Sequence, residues 1–165
     1  MFSLADAVRY LHSRNIIHGD IKPQNVLLCN DFSVRLTDFG ASQRIDGTNF
    51  NDVRIDTETP QFMAPEMCAS SAAVNPYLLD IWALGVTVYA CTFLVLPFNL
   101  VSAGDNILQI MRCITTETLC FPHTSTLHPL FLALLERLLC KDPHRRITVD
   151  ELLEQSKTVF DLSAL

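Results

Sequence analysis

The sequence predicts a mainly α-helical domain with one small β-hairpin, and three observations carry that expectation. Apolar residues recur at helical spacing at Leu4, Ala7, Val8 and Leu11, and again through Leu130 to Cys140. The run from Ile81 to Val101 contains no charged residue, as a helix buried on several sides would. Between these, Val26-Leu27-Leu28-Cys29 and Ser33-Val34-Arg35-Leu36-Thr37 flank a turn signal at Asn30-Asp31, the mark of two paired strands. Of 165 residues, 49% are hydrophobic and only 18% charged. That supplies one core and excludes a disordered polyampholyte.

In chain order, Ser3 is a candidate N-cap with Asp6 three residues on, opening a helix that ends near Arg14-Asn15. A polar, proline-containing segment follows, His18-Gly19-Asp20-Ile21-Lys22-Pro23-Gln24-Asn25, and then the hairpin. From Ala41 to about Phe62 the chain is polar without a clear period, and so long a segment in a compact domain is usually functional. Pro65 opens a short helix, Tyr77 to Phe93 is the apolar one, and Asp105 to Cys113 forms another. Pro129 suits the first turn of Leu130 to Cys140. Thr148-Val149-Asp150-Glu151 is a capping box that opens a last helix through Gln155. No internal repeat or linker divides the chain.

The net charge of −6, the pI near 5.2 and the absence of a Lys/Arg run argue against nucleic acid as the main partner. Six cysteines, at 29, 68, 91, 113, 120 and 140, form no CxxC pair. They read as reduced, mostly buried thiols of a cytoplasmic or nuclear protein rather than as a disulfide framework or zinc site. The N-terminus lacks the basic and apolar regions of a signal peptide. Pro97 and Asn99 interrupt the uncharged run, and Ile81 to Leu96 is short for spanning, so no membrane is expected.

Antiparallel pairing of the hairpin would place Asn25, just before its first strand, and Asp38, just after its second, at the same open end. A carboxylate and an amide carbonyl facing one space suit a hard cation such as magnesium. Asp20 precedes Asn25 in the same loop, with Lys22 between them. A carboxylate, an ammonium and a metal pair in one cleft are what phosphoryl transfer requires. Taken singly, Asp20 and Asn25 could equally cap a tight turn, and Asp38-Phe39-Gly40 could be an ordinary strand exit.

The joint pattern is more specific. His18-x-Asp20-Ile-Lys22-Pro-x-Asn25, then Asp38-Phe39-Gly40, then Ala64-Pro65-Glu66, then Asp80-Ile-Trp82-Ala-Leu-Gly85, then Asp142-Pro143-His-Arg-Arg146 resembles the catalytic half of a eukaryotic protein kinase, in order and in spacing. The resemblance covers nearly all of residues 1–165. It implies a protein-kinase-like fold represented by its C-terminal lobe, with an activation segment at 38–66, ATP and Mg2+ as cofactors and a protein as substrate. It further implies that Asp20 is the catalytic base, that Lys22 contacts the transferred phosphate, and that Asn25 and Asp38 hold magnesium. Lys22-Pro23 and Thr59 before Pro60-Gln61-Phe62-Met63 resemble the serine/threonine branch, which places such a threonine beside the base. Glu66 and Arg146 resemble the family's buried ion pair, Asp80 its acceptor for the catalytic-loop backbone, and His18 a packing residue of that loop. Phe62 to Glu66 together with Trp82 to Tyr89 is similar to kinases of the calcium/calmodulin-dependent kinase kinase type.

Two departures stand out. The chain opens in the helix before the catalytic loop, without a glycine-rich phosphate loop or a strand lysine, and glycine occupies position 19 where the family usually has arginine. The first departure raises a second reading, a catalytically incompetent kinase-like binding or scaffold protein.

Overall fold

The structure, a computed structural model, describes residues 2–46, 59–68, 75–122 and 127–155. Helix α1 (Phe2–Ser13) comes first and buries Leu4, Ala5, Val8 and Leu11. Ser3 lies inside this helix, so it cannot act as the N-cap expected from the sequence, because a cap residue must precede the first helical turn. Asp6 pairs instead with Arg9 one turn on, at 3.0 Å. The helix closes on Asn15 in the left-handed conformation (φ 56°), a position asparagine tolerates.

Strands β2 (Val26–Leu28) and β3 (Val34–Leu36) form the expected antiparallel hairpin, with Val26 opposite Leu36 and Leu28 opposite Val34. Its turn is set by Asp31, whose carboxylate accepts from the Ser33 N–H (3.0 Å) and hydroxyl (2.6 Å). A second sheet, unforeseen from the sequence, pairs β1 (Ile16–Ile17) antiparallel with β4 (Gln43–Arg44). Two-residue strands are too short to show alternation. Ile45 N–H extends the pairing to Asn15 O at 2.7 Å, so the start of the polar segment folds back beside the end of α1.

The helical body is built around α2 (Pro76–Phe93). Asn75 caps it by accepting the Tyr77 N–H, and Leu94 ends it with φ 58°. Pro76 fits the first turn because its missing N–H would have no helical partner there. By length and composition α2 is, among the described residues, the one helix able to cross a membrane, and 61% of its span is buried by other parts of the chain. Helices α3 (Leu100–Ala103), α4 (Ile107–Thr116) and α5 (Pro129–Leu138) follow, with α6 over residues 149–155. Caps that the apolar pattern does not reveal set two of these starts. The Asn106 side chain accepts the Gln109 N–H, and the His128 imidazole accepts the Leu130 N–H. At α6 the capping box is closed in both directions: Glu151 N–H to Thr148 Oγ1 at 3.3 Å, and Thr148 N–H to Glu151 Oε2 at 2.9 Å.

Trp82, Leu84, Ile110, Ile114, Leu135, Leu138, Ile147 and Leu152 are fully buried in one core. At the closest approach of α2 and α5, a methyl on Gly85 would lie 2.9 Å from Leu138 Cβ, so only glycine fits. No cysteine is fully buried, contrary to expectation. Cys91 and Cys120 are exposed, the other four are half-buried, and none is in a disulfide.

Candidate active site

The segment joining β1 to β2 carries most of the residues singled out from the sequence, and a buried carboxylate shapes it. Asp80, in the first turns of α2, is 1% exposed. Its Oδ2 accepts the His18 N–H (2.8 Å) and its Oδ1 the Gly19 N–H (3.0 Å). His18 is itself buried. Its Nδ1 accepts the Asp20 N–H (3.3 Å), so its proton sits on Nε2 and is donated to Thr37 O (3.0 Å). That bond links the loop to the end of β3, and Thr87 Oγ1 donates to Ile21 O from beneath.

On this frame Asp20, Lys22 and Asn25 converge. Lys22 Nζ lies 2.8 Å from Asp20 Oδ2, with both side chains about four-fifths buried. Asn25 Nδ2 donates to the same Oδ2 (2.9 Å) and to the Asp20 main-chain oxygen (2.8 Å). The turn-capping role open to this pair is therefore filled by the Asn25 amide, without using Asp20 Oδ1. Lys22 Nζ also donates to Thr59 Oγ1 at 3.1 Å, which brings the threonine of the 59–63 segment to the loop. Between the loop and that segment, a cavity of about 20 Å³ is bordered by Asp20, Ile21, Phe62 and Met63. It has room for one water and no larger ligand.

Thr37 N–H and Oγ1 both bond Asn25 O, at 2.9 and 3.1 Å, so Asp38 emerges beside Asn25 at the open end of the hairpin. Asp38 is exposed and has φ 62°, an uncommon conformation that turns the chain sharply after β3. With its amide nitrogen committed to Asp20, Asn25 has its side-chain oxygen left as the atom able to ligate a metal. An amide oxygen and an exposed carboxylate are the hard donors a magnesium ion takes, so these residues fit one. Among the described residues no group of three or more His, Cys, Asp or Glu side chains forms a cage for a softer metal.

Glu66 and Arg146 meet in a bidentate pair at 2.6 and 2.8 Å. Arg146 also donates to Leu78 O and Cys140 O and lies over the Trp82 ring, 4.9 Å from its centre. One guanidinium thus ties together the 65–68 turn, α2 and the approach to α6. Burial, and then the nearby Glu66 carboxylate, push the Cys68 thiol above its usual range. The activation segment expected at 38–66 is described at its two ends; residues 47–58, with Thr48 and Thr57, lie outside the described residues.

Residues 1–156 match the protein kinase domain family. The chain belongs to that family. This kinase chain is 37% identical over 148 residues to the serine/threonine-protein kinase ppk34 of Schizosaccharomyces pombe, covering 89% of the chain and 40% of that protein. It is 40% identical over 152 residues to ssp1 of the same yeast, covering 87% of the chain and 23% of that protein. It is 35% identical over 152 residues to GRIK2 of Arabidopsis thaliana, covering 92% and 36%. The kinase chain therefore spans well under half the length of these relatives. They establish serine/threonine kinase kinship and do not single out the calcium/calmodulin-dependent kinase kinase type.

One residue at the site escaped the sequence reading. His12 Nε2 lies 2.9 Å from Asp80 Oδ2, the oxygen that also holds the His18 N–H. In the sequence it is one polar residue near the end of an amphipathic helix, indistinguishable from a solvated one.

Proposed function

We propose that this chain is the C-terminal, catalytic lobe of a serine/threonine protein kinase that transfers the γ-phosphoryl group of ATP to a protein hydroxyl. The observation that carries this reading is the Asp20–Lys22–Asn25 cluster beside Thr59. Both side-chain contacts to Asp20 fall on Oδ2, so Oδ1 is the oxygen presented to an incoming Ser or Thr hydroxyl. There it orients the hydroxyl and accepts its proton as the oxygen attacks. Lys22, held between Asp20 and Thr59, neutralises charge developing on the transferred oxygens. Asn25 and Asp38 would hold Mg2+, which supplies further charge neutralisation on the phosphates. Thr59 fixes the height of Lys22 and borders the place where a substrate hydroxyl would sit.

The exposed apolar side chains of the hairpin, Leu27, Leu28 and Phe32, with Phe39 just after it, fit a face that a second lobe covers. The acidic composition and unpaired thiols fit a cytoplasmic or nuclear protein acting on other proteins. The test is Asp20→Asn, assayed with the amino-terminal lobe of a related kinase joined ahead of the chain. Phosphotransfer to a protein substrate falls by two or more orders of magnitude while the fold is retained, because the isosteric amide keeps the loop's shape. Unchanged turnover would remove Asp20 from the role of base.

A further inference from the structure

Among the described residues, five polar or charged residues are buried: His18, Asn25, Asp80, Thr87 and Arg146. Four of them belong to the catalytic loop, to its anchor or to the Glu66 pair. Thr87 remains, 1% exposed between Val86 and Val88 in the middle of α2, at a place where valine would suit the apolar run as well. A buried hydroxyl lowers stability unless it is bonded. The usual partner for a threonine inside a helix is a carbonyl of the preceding turn. Thr92, Thr115 and Thr116 all donate there, to Val88 O, Met111 O and Arg112 O. Thr87 is bonded differently. Its Oγ1 donates out of the helix to Ile21 O, at 3.3 Å. No main-chain N–H among the described residues reaches that carbonyl.

We infer that Thr87 is a positioning residue for Asp20 and Lys22, holding the peptide unit that joins Ile21 to Lys22. It lies seven residues after Asp80 on α2, about 20° apart around the axis, so both side chains address the loop from one face. Asp80 takes the N–H groups of His18 and Gly19, before Asp20, and Thr87 holds the carbonyl just after it. Asp20 is thereby fixed from both sides. The same peptide sets the direction in which Lys22 leaves the loop, extended at φ −155° and ψ 161°, with Nζ 2.8 Å from Asp20 Oδ2. Without the hydroxyl, Ile21 O is buried with no donor, and the peptide gains by rotating towards another. That rotation carries Lys22 away from Asp20. The link to phosphotransfer rests on the reading of Asp20 as base; the link to the loop does not.

Two pairs that differ by one hydroxyl test this: the parent against Thr87→Val, and Thr87→Ser against Thr87→Ala. Amide hydrogen exchange on the full chain reads the loop through the Asp20 N–H, bonded to His18 Nδ1, and the Asn25 N–H, bonded to Lys22 O. In Thr87→Val these two amides exchange roughly tenfold faster or more, while amides in α4 and α5 are unchanged. Thr87→Ser, which keeps the donor and loses only a methyl, stays near the parental rate. Unaltered exchange in Thr87→Val, acceleration spread equally over α4 and α5, or a serine variant as loose as the valine one would each overturn the inference. If Thr87→Val does not fold, Thr87→Ser against Thr87→Ala carries the same comparison. Phosphotransfer, with a related amino-terminal lobe joined, adds the second arm. There kcat falls roughly tenfold in Thr87→Val with KM for peptide unchanged, because Thr87 touches no substrate, and it recovers in Thr87→Ser. A parental kcat in Thr87→Val, or an equal loss in both variants, overturns the positioning role. Should Asp20→Asn itself leave turnover untouched, the base assignment fails, and the exchange rates still decide the role of Thr87.

Discussion

Replacing Gly19 should damage the fold, and the structure says by how much. A methyl at this position would sit 2.7 Å from the main-chain oxygen of Ala41, and the backbone there has φ +80°. The left-handed conformation costs a non-glycine residue about 1–2 kcal/mol. Pressing a methyl on a fixed carbonyl adds an overpacking cost of about 1–3 kcal/mol. The stiffer unfolded chain returns about 0.4–1 kcal/mol. Neither side can move freely. Gly19 N–H is bonded to Asp80, while the chain just past Ala41 is held by Ser42 Oγ donating to His18 O at 3.1 Å. Gly19→Ala is therefore expected to lose about 2–4 kcal/mol. With a urea slope of about 1–3 kcal/mol/M, the unfolding midpoint falls by about 1 M or more. Gly19→Arg, which reinstates the family's usual residue, fares no better, because the strain lies at Cβ. Urea titration followed by circular dichroism reads both variants. A Gly19→Ala midpoint within error of the parent would refute the backbone argument, and the glycine would then be explained only by what an arginine side chain would have done.

Arg146→Ala should cost about 3–5 kcal/mol, since it strands the Glu66 carboxylate in a site where the two side chains are 0% and 9% exposed; calorimetric or urea unfolding checks it. Thr148→Ala should lose about 1 kcal/mol by opening the capping box of α6. The Thr148 N–H and hydroxyl hold Glu151 below the usual carboxylate range, so the stability this residue contributes is present above its unfolded pKa and fades as pH falls through the folded one. The pH dependence in acid should flatten only in part in Thr148→Ala, because alanine keeps the N–H that lowers Glu151 most and loses only the hydroxyl. By isothermal calorimetry the chain alone should bind ATP–magnesium far more weakly than micromolar, because its glycines at 19, 40, 47, 85 and 104 are isolated and adenine would meet one wall only. With a related amino-terminal lobe joined, activity should not depend on activation-segment phosphorylation, because Gly19 has no side chain to pair a phosphate. Ser42 already bonds the catalytic loop, so the test is Thr48→Ala with Thr57→Ala, and a collapse of turnover that phosphatase reproduces in the parent would refute it.

Much of the site was legible in the sequence because its chemistry is carried by residues close together in one loop. Asp20, Lys22 and Asn25 lie within six positions, and the hairpin that adds Asp38 is a local structure whose turn is set by Asp31 and Ser33. The period of the apolar residues located α1, α2 and α5, and the capping box located α6, since each is a property of neighbours along the chain. Elements set by contacts between distant residues were invisible. The β1–β4 pair is two residues long, and nothing in either segment names the other. Nothing in the sequence singles out His12, and only the packing of α2 against α1 brings Asp80 to it across 68 positions of sequence. Ser3, a good cap by type, fell inside a helix, where its type no longer mattered. The sequence alone determined the identity and order of the chemical groups and the helices that carry them. Only the tertiary structure decided how they are held: which oxygen of Asp20 stays open, and why position 19 must be glycine. Those depend on Lys22 and Asn25 closing on one oxygen of Asp20 and on the Ala41 carbonyl lying against Gly19, and no local pattern records where a folded chain will bring such groups together.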